Sequence, residues 1–132
     1  TSLTRFGMPL GLITPEEKAV DIHGGDIETS VMLALHPQLV HMDKTGNFAS
    51  KQSQFATNFK HLRAYGPHAF GWRMSDLNAQ GAAGNAALAT AEKGEAIIAH
   101  SVAGLLELLE DVSAFDMNLL ESSDQKTSAD SL

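Results

Sequence analysis

A chain of 132 residues has room for one modest domain with one core, and 43% hydrophobic against 19% charged residues marks a folded polypeptide instead of a fully disordered one. The net charge of -7 and a pI near 5.2 exclude non-specific binding to nucleic acid or to acidic membranes, both of which need clustered Lys and Arg. With no cysteine there is no disulfide, Cys-ligated zinc or thiol nucleophile; no apolar run approaches the roughly 20 residues that cross a bilayer, no signal-peptide layout is present, and a cytoplasmic protein is expected.

Residues 1–22 read as a loop punctuated by Gly7, Pro9, Gly11 and Pro15, opening on Thr1 in place of Met as a processed chain or a fragment would. Within it, Thr14-Pro15-Glu16-Glu17 predicts a capped helical turn with Pro at its first position, hence a short helix from about Pro15. A glycine-bearing segment, His23-Gly24-Gly25-Asp26, leads into a second helix, on which Glu28, Val31, Met32 and Leu35 share one face at i, i+3, i+4 and i+7. Pro37 stops that helix at about His36.

Residues 40–61 are polar and mixed, with Gly46-Asn47 as a turn signal, and predict a surface excursion with short strands. Residues 69–74 alternate bulky side chains between Gly66-Pro67 and Ser75-Asp76, the pattern of a strand. Residues 78–89 hold Gly81 and Gly84 among small residues, a loop that hugs backbone before a helix and shapes either a plain turn or an anion pocket. From Thr90 to Val112 the apolar stripe Ile98, Val102, Leu105, Leu109 and Val112 predicts the longest helix, packed on a sheet or a partner helix. The chain therefore divides into a folded part, residues 1–115, and a polar tail, residues 116–132, expected to be disordered.

His23 and Glu28 are the pair with chemistry: an imidazole on a glycine-flanked loop and a carboxylate in the first turn of the next helix. A carboxylate on a helix face that must be buried needs a cation or a proton, so a metal ion or a hydrogen-bonded imidazole is its natural partner. The plain alternative is an exposed first-turn Glu favoured by the helix dipole, beside an ordinary loop His. His36, His41, His61, His68 and His100 lack ligand-type spacing and read as surface or helix-end residues.

The block His23-Gly24-Gly25-Asp26-Ile27-Glu28-Thr29-Ser30, followed by Val31-Met32-Leu33, Pro37-Gln38-Leu39-Val40 and Met42-Asp43-Lys44, resembles the His-Ala-Gly-x-x-Glu-Thr-Ser motif region of the creatininase family. A second block in the same order, Phe70-Gly71-Trp72 through Asp76-Leu77-Asn78, Gly81, Gly84-Asn85 and Leu88 to Gly94, is similar to that family's last strand, glycine loop and last helix.

The resemblance implies an α/β fold, a three-layer α/β/α domain with a largely parallel sheet, of which residues 1–115 supply the C-terminal half. It implies a hydrolase in which divalent ions, zinc, manganese or iron and two per complete site, activate water against a non-peptide, often cyclic, amide. His23 then matches the catalytic His that protonates the leaving nitrogen or holds the tetrahedral intermediate, and Glu28 matches the motif Glu, a metal ligand or the orienting partner of the His. Gly24, Gly25 and Trp72 become candidate substrate-binding residues, Trp72 fitting the core equally well.

The resemblance also implies a homo-oligomer, typically a hexamer. Most metal ligands of the family lie in segments of its N-terminal half that this sequence lacks, so a partner polypeptide or a missing N-terminal half is expected, and the chain alone is expected to be inactive. Members that cleave creatinine carry a tryptophan shortly before the motif His, where this chain has Ala19, so the resemblance does not extend to creatinine as substrate. The reading from another class is a non-catalytic chain, an accessory or truncated homologue acting in assembly or binding.

Overall fold

The computed structural model describes residues 3–120. Its scaffold is two helices, α2 (Asp26–Leu35) and α5 (Ala91–Ala114), packed against each other. Around them run α1 (Pro15–Val20), α3 (Gln52–Asn58), α4 (Met74–Leu77) and one antiparallel ladder of β1 (Asn47–Phe48) with β2 (Gly84–Asn85). The parallel sheet that the resemblance implied is not among the described residues: their only named strands are these two, each two residues long. Among the same residues no helix is long and apolar enough to cross a membrane.

Local signals set three of the helices. Thr14 Oγ1 accepts from the Glu17 N–H and Glu17 Oε2 from the Thr14 N–H, a reciprocal cap that starts α1 at Pro15. Pro37 ends α2 at Leu35, and a 3-10 turn, Pro37–Leu39, follows it. Thr90 caps α5 by accepting from the Lys93 N–H at 3.2 Å.

The α2–α5 contact uses small residues. Gly94 sits against the α2 backbone so closely that an added Cβ would lie 2.0 Å from the Ser30 carbonyl oxygen and 2.9 Å from Ala34 Cβ. Ile27, Ser30, Gly94, Ile97 and Ser101 are buried on the two helices. The buried face of α5 is therefore Gly94–Ile97–Ser101. The stripe expected to pack is instead largely exposed, with Val102 at 51% and Val112 at 63% of full exposure. A small-residue face brings two helix backbones together, which a Leu-rich stripe cannot do.

That geometry carries a prediction. At an exposed helix position Gly→Ala gains about 1 kcal/mol of helix propensity; here Gly94→Ala must separate the helices or shift Ser30, and a net loss of about 1–3 kcal/mol is expected from overpacking. Thermal unfolding of the variant checks it, and a raised melting temperature would contradict the close crossing.

Two other expectations change. Residues 69–73 form no ladder beyond a single bridge between Ala69 and Arg63. Their bulky side chains anchor to α3 and to the loop after it instead: the Phe70 ring meets Phe55 edge-on at 5.5 Å, and Trp72 Nε1 donates to the Ala64 carbonyl. Within residues 40–61, expected as a surface excursion with short strands, Gln52–Asn58 is a helix, α3, whose buried anchor is polar: Gln52 Oε1 accepts from the Ala64 N–H at 2.8 Å. Of the expected tail, residues 116–120 hold an exposed 3-10 turn, Met117–Leu119, and residues 121–132 lie outside the described residues.

Candidate functional site

His23 is fixed through its backbone. Its N–H donates to the Ala83 carbonyl at 3.1 Å and its carbonyl accepts from the Ala83 N–H at 2.8 Å, so the loop before β2 holds the His23 loop in place. The chain then turns at Gly24, whose φ of +65° favours glycine, and crosses β2 at Gly25. There an added Cβ on Gly25 would stand 2.8 Å from Gly84 Cα and 2.3 Å from Asp21 Oδ1. Gly25 is thus tightly packed at this crossing, and it is not among the residues that line the His23 cavity.

From this crossing α2 starts, and its first turn returns Glu28 to the loop. Glu28 Oε2 lies 3.4 Å from His23 Nδ1, an ion-pair distance longer than a good hydrogen bond, and accepts from the Gly24 N–H. Neither group is buried: the side chains are 60% exposed for His23 and 56% for Glu28. The buried carboxylate of α2 is Asp26, 1% exposed. Its Oδ1 accepts from Ser30 Oγ at 3.0 Å and its Oδ2 from Lys93 Nζ at 2.5 Å, while Lys93 Nζ also donates to the Leu88 carbonyl. The expectation that Glu28 sits on a buried face is therefore not met: the carboxylate that α2 buries is Asp26.

Behind the loop, Asp21 Oδ2 accepts from the Ile27 N–H at 3.0 Å. Burial raises the Asp21 carboxyl above the ordinary carboxylate value, the Ile27 hydrogen bond opposing it.

His23, Gly24 and Glu28 line a cavity of about 430 Å³ together with Thr29, Met32, Leu39, Val40, His41, Lys44, Thr45, Phe48 and Ala86. Trp72 is not in it. It lines a separate cavity of about 410 Å³ with Asp21, Ile22, Ile27 and Tyr65, so the structure does not bring Trp72 to the His23 site. Conversely His41 and Lys44, which no ligand spacing marked, do line the His23 cavity. Their only sequence signal was position within the block that runs on from His23 to Lys44.

As a metal site these donors are incomplete. The pair offers one imidazole and one carboxylate, whereas a catalytic ion ordinarily takes three protein ligands. Among the described residues no group of three His, Cys, Asp or Glu side chains could hold an ion. His23 and Glu28 fit one flank of such a site and cannot close it.

A family model described as creatinine amidohydrolase matches residues 1–109. None of the curated proteins compared with the chain matches it. Among solved structures, the chain is similar to a Bacteroides fragilis NCTC 9343 protein assigned as a creatinine amidohydrolase, at 28% identity and a TM-score of 0.64, over 89% of this chain and 43% of that one. It is similar to a manganese creatininase at 26% identity and a TM-score of 0.59, over 87% and 42% of the two chains. A mutant creatininase complexed with creatine matches at 26% identity and a TM-score of 0.57, over 86% and 42%. The chain has a creatininase-like fold and spans less than half the length of these structures.

Proposed function

The chain belongs to the creatininase family, whose members are metal-dependent amidohydrolases, and from that premise we propose that it carries the His23–Glu28 side of an active site that hydrolyses a small, non-peptide and cyclic amide. The single observation that supports this is the pairing of His23 Nδ1 with Glu28 Oε2 at 3.4 Å on the rim of a cavity large enough for such a substrate.

Glu28 holds the imidazole by Nδ1. Nε2 of His23, which has no protein partner among the described residues, is then the atom that gives a proton to the leaving nitrogen. In a completed site Glu28 would be one of the residues holding divalent ions, zinc, manganese or iron and two per site, and those ions would supply an activated water. The remaining ligands come from polypeptide outside residues 1–132, in a longer chain or in a partner. The exposed apolar side chains of α5, Leu105, Leu106, Leu109 and Val112 among them, support association with further polypeptide, and a homo-oligomer, a hexamer by resemblance, in the cytoplasm fits that picture.

The competing reading, a non-catalytic chain acting in assembly or binding, is favoured by the two-donor count alone. Metal content separates the two. When the chain is combined with the polypeptide bearing the other ligands, metal analysis is expected to find bound divalent ions, and Glu28→Gln is expected to lower that content together with activity. Unchanged metal and activity in Glu28→Gln would overturn the role given to this carboxylate, and a metal-free complex would favour the assembly reading.

A further inference from the structure

The His23 cavity is lined by one carboxylate and one lysine, and the two form no ion pair with each other. Glu28 is the one carboxylate among its lining residues, and it is already engaged by His23 and by the Gly24 N–H. The one lysine, Lys44, enters none of the ion pairs among the described residues, which are His23–Glu28, Arg73–Asp76 and Lys93–Asp26. Asp43, its neighbour in sequence, does not line the cavity.

Lys44 is also held in place by its backbone. The segment that carries it leaves α2 through the turn at Pro37 and tightens into a 3-10 turn, Met42–Lys44, with the Lys44 N–H bonded to the His41 carbonyl at 2.9 Å. Thr45 Oγ1 closes that turn on the Met42 carbonyl at 2.8 Å. Three residues on, Asn47 and Phe48 pair with Asn85 and Gly84, next to the Ala83 that holds His23. Lys44 and His23 therefore hang from the same stretch, residues 83–85. Met32, Leu39, Val40 and Phe48 add apolar surface to the same lining.

We propose that Lys44 is a specificity-determining residue, and that the cavity takes a small amide bearing a second, anionic group, a carboxylate remote from the bond to be cut. This rests on the reading of the cavity as an amide-hydrolysing site and adds its substrate class. Lys44 is exposed, so water screens its charge and the discrimination is modest, about tenfold between anionic and neutral amides.

Hydantoin and hydantoin-5-acetic acid, alike in ring and different in one carboxylate, are titrated by calorimetry into the chain combined with the polypeptide bearing the other ligands. The acid is expected to bind about tenfold more tightly, and added salt to erode that preference. Lys44→Met is expected to abolish the preference and leave the neutral ring's affinity unchanged, which also reports that the cavity is intact; Lys44→Arg is expected to keep it. Equal affinity of the two probes, a preference that survives Lys44→Met, or binding of neither probe overturns the proposal. Because the readout is binding selectivity, His23→Ala should retain it, so a failure of the hydrolytic reading and a failure of this one give different results.

Discussion

Replacing His23 by alanine in the completed enzyme is expected to lower amide hydrolysis by roughly a hundred- to ten-thousand-fold, the range that a positioned general acid or base contributes. The imidazole's backbone is held by Ala83 through two hydrogen bonds that do not involve the side chain, so the loop should keep its course without it. Glu28 keeps its bond from the Gly24 N–H, so α2 should start where it does now. The loss should therefore fall on kcat more than on substrate affinity, and metal content should persist. Rate measurements on the completed enzyme, with metal analysis alongside, check this. Full activity in the variant would remove His23 from the chemistry, whatever else the cavity binds.

What could be read from the sequence was what is decided locally. The Thr14–Glu17 cap and the stop at Pro37 each involve residues within four positions of one another, and both helix boundaries fall where those residues put them. The pairing of His23 with Glu28 is of the same kind, five residues apart across one glycine turn and one helical turn. Contacts between distant segments were not readable in this way. Which face of α5 is buried depends on Gly94 meeting Ser30, and no periodicity of Leu and Val reports that glycine.

The same reasoning explains the misplaced strand and the missed cavity residues. The alternation at residues 69–74 has no strand beside it among the described residues, and alternation without a neighbour is only a run of bulky residues looking for contacts. His41 and Lys44 reach the His23 cavity because β1 folds back onto β2, a pairing nearly forty residues apart, 47 with 85. Trp72 goes the other way, pulled into a different cavity by its hydrogen bond to Ala64.

The largest loss of stability is expected from Lys93→Met. Asp26 is 1% exposed, and Lys93 Nζ, 2.5 Å from Oδ2, is its only cation among the described residues. Breaking such a pair from one side leaves a buried charge with only the Ser30 hydroxyl and the start of α2 to stabilise it, at a cost of about 3–5 kcal/mol. Against a total stability of about 5–15 kcal/mol, that is enough to unfold much of the protein. Replacing both partners, Asp26→Asn with Lys93→Met, removes the stranded charge, and most of the loss should return, because a buried ion pair contributes little beyond a well-packed neutral pair. Urea unfolding of the two variants decides the matter. A single variant within about 1 kcal/mol of the parent would show that water reaches Asp26 and that the pair is ordinary surface electrostatics. If the expectation holds, Ser30, Thr90 and Lys93 act as one latch: the Thr90 N–H donates to Ser30 Oγ at 3.1 Å, Ser30 donates to Asp26, and Asp26 pairs with Lys93. That latch ties the first turn of α5 to the first turn of α2, two residues before Glu28, so the carboxylate facing His23 owes its position to an ion pair on the opposite side of its own helix.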